Sequence, residues 1–332
     1  MQLIRVRAPK LGTVLCVLLI GVIAAQPLLH FGLPAGDDTL YHIQRTASLL
    51  RSWQAGVVFP RWSADLVYGF GYPLYNYYAP LAYYFTAGLA ALGLTATQAV
   101  MWVAIVFCCL QAIGAWLWLR EHASSLAAYV GSISYTLAPY TVGNIVGRGA
   151  LAEHVALCIA PFALWGIARL SRAEGRAQAK WWLLTTLLLA AFWLSHNVSA
   201  LLLSIPIGGY VLYCWLTEGR KILVLLAPAF AASIVSFLWM PVIAERSLVQ
   251  LDMLHAAPWA DYRHHFLSLE RLLAWPEPAD RLLVFQPRSP EFNSPVLFIS
   301  LVASFASTIV YLINKKLKCI LNIYFSTLLV VS

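Results

Sequence analysis

The sequence predicts an all-α fold, a polytopic bundle of transmembrane helices, on three observations. Hydrophobic residues make up 61% of the 332 positions and charged residues 11%, against roughly 45–50% and about 25% in soluble domains. The apolar residues gather into long runs, and at about 20 residues per crossing the chain has room for roughly eight to ten of them. The basic residues fall in short clusters at the ends of these runs: Arg5, Arg7 and Lys10; Arg169, Arg172, Arg176 and Lys180; Arg220 and Lys221; Lys315, Lys316 and Lys318. That is the distribution of cytoplasmic loops under the positive-inside rule. The net charge of +8 is accounted for by anionic lipid heads, so the lipid bilayer is the expected partner and nucleic acid is not. The six cysteines lie in or beside apolar runs without the paired spacing of a zinc site and read as small core residues.

Taken in order, residues 11–29 form a first span. A cleaved signal peptide ending near Ala24 and Ala25 is the other reading, and the length of the run favours an uncleaved span. The first external loop, residues 30–78, follows, and includes GDDTLYHIQRTASLLRSWQAGVVFPRW at 36–62. The tyrosine-dense YGFGYPLYNYYAPLAYY at 68–84 suits a membrane interface and leads into an apolar run at 79–94. Further runs occupy 98–119 and 124–140. The knot YTVGNIVGRGALAEH at 140–154 interrupts the apolar pattern, and its charged residues are costly in lipid, which places it in a loop or a water-filled cavity. Apolar residues then continue to 170, with spans at 181–198, 200–216 and 222–240. A long external loop covers 241–295, a span follows at 296–313, and an apolar tail ends at Ser332.

If the basic clusters share one side, the first loop, the knot and the 241–295 loop share the other. The three apolar runs between Trp62 and Tyr140 are one too many for that arrangement. One of them therefore does not cross, and the tyrosine-rich run is the suspect. The whole is read as a single transmembrane domain, residues 1–332.

Four constellations carry candidate chemistry. A helix starting near Asp37 or Asp38 places Asp38, His42 and Arg45 on one stripe. Read as ordinary structure, Asp37 is the better cap, Asp38 favours the positive end of the helix dipole, and His42 and Arg45 face water. Read as chemistry, an aspartate is a general base at the membrane surface. In the knot, Arg148 is either a phosphate or carboxylate ligand, a role suited to its planar fork, or a charge neutralised by Glu153. His196, beside Asn197 in an apolar run, is either hydrogen-bonded core or an intramembrane site. Arg263 and His264, in the cluster at 261–265, belong either to a solvated loop or to one that closes over a phosphorylated substrate. Adjacent histidines make a poor metal motif, and no metal ligands are assigned.

The succession GDDTLYHIQR, VVFPRW, YGFGYPLYNYYAPLAYY, YTLAPYTVGNIVGRGALAEH, WLSHNVSALL and MPVIAERSLVQLD with DYRHHFLSLERLL resembles the bacterial membrane proteins labelled 6-pyruvoyl-tetrahydropterin synthase-related, over almost the whole chain. Despite the label, no zinc-binding histidine set of a pterin-making enzyme is present. The layout is more distantly similar to the GT-C class of polytopic glycosyltransferases, which use lipid-phosphate sugars.

This second resemblance implies a GT-C-like bundle with Asp37 or Asp38 as base or metal ligand, so that a divalent cation is a candidate cofactor. It also implies Arg148 and the 261–265 cluster as phosphate contacts. The expected partner is a polyprenyl-phosphate sugar, and the expected location is the bacterial inner membrane, with the N-terminus cytoplasmic. The chain stops early for either family, so a C-terminally truncated or shortened member is expected. The competing reading is a non-catalytic membrane protein, a transporter or an envelope-assembly scaffold. A transporter would show matching halves, and the sequence shows none.

Overall fold

The computed structural model describes residues 11–250, together with Arg263 and Phe266. These residues form a bundle of α-helices, with one isolated antiparallel bridge, Ser63 to Tyr72, in the first loop. Most of the long loop expected from residue 241 onward, the span expected at 296–313, the basic cluster at 315–318 and the apolar tail lie outside the described residues. So do Arg5, Arg7 and Lys10.

Four helices are long and apolar enough to cross a bilayer: α1 (Leu11–Phe31), α5 (Ala96–Arg120), α8 (Leu151–Arg172) and α10 (Asn197–Thr217). The pair α11 (Ile222–Ile234) and α12 (Ser236–Ala244), bent by 63°, makes a fifth when taken as one span. α5 starts at a capping box in which Thr95 and Gln98 satisfy each other's backbone N–H. α5 and α8 run parallel. His154 near the start of α8 lies 3.3 Å from the Ala104 carbonyl, and Arg172 at its end lies 3.1 Å from Glu121, just past the end of α5.

α9 (Arg176–Trp193) returns beside α8. Its start stacks Trp181 on Trp165 at 4.9 Å, and the Leu194 carbonyl beyond its end accepts from Leu81 N–H. α6 (Ser125–Thr136) and α7 (Pro139–Val146) climb together between the same two levels. They are separated by a break where Ala138, forced out of helical ψ by Pro139, turns the chain. Two polar groups on α6 are satisfied within the bundle: the Ser132 hydroxyl donates to the Ala112 carbonyl at 2.8 Å and the Tyr135 hydroxyl to the Leu157 carbonyl at 2.6 Å.

The tyrosine-rich run forms a helix too short to cross a bilayer by itself. Its helix, α4 (Leu81–Ala91), has 11 residues, a rise of about 16 Å against a hydrocarbon core of about 30 Å. It ends at Gly93, whose φ of +106° suits glycine. α4 runs alongside α2 (Thr39–Gln54), with Tyr83 beside His42 and Thr86 beside Thr46. The tyrosines divide: Tyr68 and Tyr72 are exposed, as an interfacial fringe would be, whereas two others are core. Tyr75, in the short α3 (Leu74–Tyr77), and Tyr83 are wholly buried with Leu49, Leu74 and Ala87 in a small core of their own. Their hydroxyls are satisfied locally, that of Tyr75 by the Arg45 carbonyl at 3.1 Å.

The polar segments sort to two ends of the bundle. Arg169, Arg172 and Lys221 share one end, where Glu121 lies between the two arginines and Lys221 caps the Ala173 carbonyl. The first loop, the knot, the start of α10 and Glu245 share the opposite end.

Close helix contact requires glycine at one crossing. A Cβ on Gly21 of α1 would collide with the Cys109 backbone of α5, whereas one on Gly208 of α10 meets nothing within 4 Å. Gly21→Ala is expected to destabilise the protein by about 1–3 kcal/mol through overpacking, read as a lower melting temperature of the purified protein. Gly208→Ala is expected to leave it unchanged or slightly raised.

Candidate functional site

The site is built where the first loop meets the knot. Gly36 lies against the peptide carbonyl of Arg148, where a Cβ would collide, and the Asp38 N–H donates to that carbonyl at 3.1 Å. Across the same junction Gly149, at φ +71°, leaves room for the Thr39 hydroxyl. The glycines that break helical regularity in the knot therefore allow two backbones to touch.

Fixing the Asp38 N–H in this way makes Asp38 the N-cap residue of α2, but its side chain makes no capping bond. The expectation that Asp37 is the better cap is corrected: Asp37 is exposed, and the Asp38 carboxylate turns to Arg148, with Oδ2 3.8 Å from Nη2. The Arg148 side chain is well supplied with partners. Its Nη1 lies 3.3 Å from Glu153 Oε2 and donates to Asn144 Oδ1 at 3.0 Å. The Tyr140 hydroxyl donates to the other oxygen of Glu153. Of the two roles the sequence leaves open for Arg148, neutralisation by Glu153 is the one seen. The Asp38 side chain remains 40% exposed, the Glu153 side chain only 12%.

The stripe on α2 turns inward. His42 is buried, and its Nε2 accepts the Leu151 N–H at 3.1 Å from the start of α8. A nitrogen that accepts carries no proton, so Nδ1 is the N–H that donates to the Tyr83 hydroxyl at 2.9 Å. Burial first, then the charges of Arg45 and His196, push the His42 imidazole down to about 3. The Tyr83 hydroxyl also accepts from Arg45 Nη1 at 2.8 Å, and the Arg45 guanidinium stacks 4.3 Å above the Tyr78 ring.

His196 also lies near that ring, with centroids 6.3 Å apart, and caps α10 by accepting from Ser199 through Nδ1. Burial holds His196 below its ordinary value. Glu153 and Asp38 oppose this and Arg148 and Arg45 reinforce it, so all four charges lie within electrostatic reach of one imidazole. Asp38, His42, Arg45, Arg148, Glu153 and His196 are thus gathered at one place. Arg263 is exposed, and His264 and its neighbours at 261–265 lie outside the described residues.

Sequence reasoning missed the residues that hold this arrangement. Asn197 clamps the backbone on both sides of Tyr78, donating to the Tyr77 carbonyl and accepting from the Ala79 N–H, both at 2.8 Å. Glu245 takes hydrogen bonds from Arg61 at 2.6 Å and Asn76 at 2.8 Å, which hold its carboxyl below the usual range. It thereby ties the end of α12 to the first loop. These contacts join positions more than 100 residues apart, which no local spacing signals. Among the described residues no three His, Cys, Asp or Glu side chains are grouped as metal ligands.

A buried neutral His42 makes stability depend on pH. It takes a proton near 6.5 when unfolded but only near 3 when folded, so between those values the unfolded state is the better proton binder. Its contribution is complete above about pH 6.5 and is lost progressively as pH falls toward 3. His122, buried at the basic end and likewise pushed down to about 3 by burial and Arg172, adds to the same slope. His42→Leu is expected to cost about 1–3 kcal/mol at neutral pH, through the lost bonds to Leu151 and Tyr83. It is also expected to flatten, but not abolish, the acid-side fall in melting temperature.

A family model of the 6-pyruvoyl-tetrahydropterin synthase related domain, described as a membrane protein, matches residues 75–274. No curated protein and no solved structure matches. The matched segment carries Tyr78, Arg148, Glu153, His196 and Glu245, while Asp38, His42 and Arg45 precede it. With more than half of its length matched, the chain belongs to the membrane-protein family of the 6-pyruvoyl-tetrahydropterin synthase related domain.

Proposed function

We propose that this protein is a membrane glycosyltransferase of the GT-C type, moving a sugar from a polyprenyl-phosphate donor to an acceptor at the external face of the bacterial inner membrane. On the positive-inside rule the end bearing Arg169, Arg172 and Lys221 is cytoplasmic, as is the N-terminus, and the site is external. The observation that carries the reading is a half-exposed carboxylate, Asp38, sharing one pocket with two arginines and two uncharged imidazoles at the mouth of a helix bundle. Lipid delivery is supported by the first loop, where Trp62, Val67, Tyr68 and Phe70 are all exposed.

The reaction is an in-line displacement. The acceptor oxygen bonds to the anomeric carbon, its proton passes to Asp38, and the bond from that carbon to the phosphate oxygen breaks with its electron pair leaving on the phosphate. At 3.8 Å the contact of Asp38 with Arg148 is an ion pair too long for a hydrogen bond, so its oxygens are free to accept from an acceptor hydroxyl. An arginine stabilises the charge that develops on the departing phosphate.

Asp38→Asn is expected to reduce transfer by at least about 100-fold. Asp37→Asn, at an exposed position, should change it by less than about 3-fold. Envelope glycan composition, measured with protein levels held equal, checks both. Unchanged glycans in the Asp38→Asn strain would sink the enzyme reading in favour of a transporter or scaffold.

A further inference from the structure

We infer that the anion site of this pocket is Arg45 on its tyrosine shelf, not Arg148, and that its ligand is a phosphate group. The inference rests on the proposed function in bringing a phosphate-bearing substrate to this pocket; the site itself is argued from charge and geometry.

Arg51, Arg61, Arg148, Arg169 and Arg172 each have a carboxylate within 4 Å. Arg176, Arg220 and Arg246 are exposed to water, and the half-buried Arg120 donates to the Ala123 carbonyl just past its own helix. Arg45, half-buried at the site end, has no carboxylate within 4 Å among the described residues. Its partners are the Tyr83 hydroxyl, at 2.8 Å from Nη1, and the side chain of Tyr78. The rings of Tyr78, Tyr83 and Tyr41 surround the guanidinium at 4.3, 5.8 and 5.9 Å. A cation withdrawn from water without a counter-charge is costly, and an anionic ligand removes that cost. Arg148 has no comparable need, since Asp38 and Glu153 already flank it. Placing a phosphate there would set it against both carboxylates.

The shelf also fixes direction. Stacking on Tyr78 holds the guanidinium plane, and the bond to Tyr83 holds its rotation. The neutral His42 bonded to the same hydroxyl adds no competing charge. Five donors in a plane are more than Tyr83 and the side chain of Tyr78 accept, and those left over serve phosphate recognition. Arg45 lies on the same face of α2 as Asp38, two turns further on, a rise of about 10 Å. That interval leaves room for an acceptor hydroxyl, a sugar carbon and a phosphate in line between base and cation.

The test is binding of geranyl phosphate, of geraniol and of inorganic phosphate to the full chain in detergent, by isothermal titration, with melting temperature as the check on folding. Wild type is expected to bind geranyl phosphate and not geraniol. Arg45→Gln should weaken that binding about 10- to 100-fold, while Arg176→Gln, exposed at the start of α9 at the opposite end of the bundle, leaves it unchanged. Arg45→Lys keeps the charge but not the planar fork. It should weaken binding by about 3- to 10-fold, and it replaces the glutamine variant as the test if the latter does not fold.

Undiminished binding by these Arg45 variants overturns the assignment and leaves the transferase reading standing. Arg45-dependent binding of inorganic phosphate as tight as that of geranyl phosphate keeps the anion site and removes the lipid carrier. Failure of wild type to bind either phosphate overturns the site itself.

Discussion

The site end of the bundle depends on the contact between the Gly36 backbone and the Arg148 carbonyl, with the Asp38 N–H bonded to that same carbonyl. Two irregular segments more than 100 residues apart are placed there backbone to backbone. Every polar group that follows inherits the register. Asp38 begins α2, α2 carries His42 to the first turn of α8, and His42 hands a hydrogen bond to Tyr83. Because the contact is between main chains and needs glycine, it is insensitive to side-chain fluctuation and intolerant of substitution. A site whose charges lie several ångströms apart in a membrane protein needs that rigidity, since loosely held charges would draw in water and weaken one another.

The two ends of the bundle treat charge differently. At the basic end Glu121 lies between Arg169 and Arg172, and Arg172 also meets Glu218, so the two arginines at the end of α8 are matched by acids. At the site end two arginines are treated differently. Arg148 has two carboxylates and Arg45 has tyrosines. Neutral hydroxyls and ring faces hold a guanidinium in position without cancelling its field, which is what separates a recognition cation from a structural one.

Much of this was legible in the sequence, and the reasons for what was not are physical. Composition and apolar run length disclosed the membrane bundle, and the parity of basic clusters pointed to a run too short to cross by itself. The helical stripe of Asp38, His42 and Arg45 could be read because those residues lie within two turns of one helix. Their convergence with Arg148, Glu153 and His196 could be expected only as a shared side, because side gives no distance. The tyrosines were legible only in part. Their amphipathic character fits an interface, where exposed Tyr68 and Tyr72 could sit, as well as it fits a small core with satisfied hydroxyls, and only the packing of α2 on α4 assigns Tyr75 and Tyr83 to the core. Asn197 was visible as a polar residue in an apolar run, but its task of holding Tyr78 beside Arg45 and His196 depends on a partner about 120 positions away. The identity of the cap turned on the Arg148 carbonyl, a backbone group to which residue type gives no clue.

The trio of Asp38, Arg148 and Glu153 also relates proton transfer to leaving-group departure in the proposed reaction. Before transfer, two carboxylates share one guanidinium and the trio is net negative, which balances Arg45 across the pocket. When Asp38 takes the acceptor proton it becomes neutral, and Arg148 is left opposed by Glu153 alone. The local field therefore turns more positive as the departing phosphate gains negative charge. No group has to move for this to happen, because Glu153 is held by Tyr140 and the Arg148 side chain is tethered to Asn144. In the proposed reaction Arg148 acts through charge balance and Arg45 by contact, a division consistent with one arginine lying among acids and the other among tyrosines.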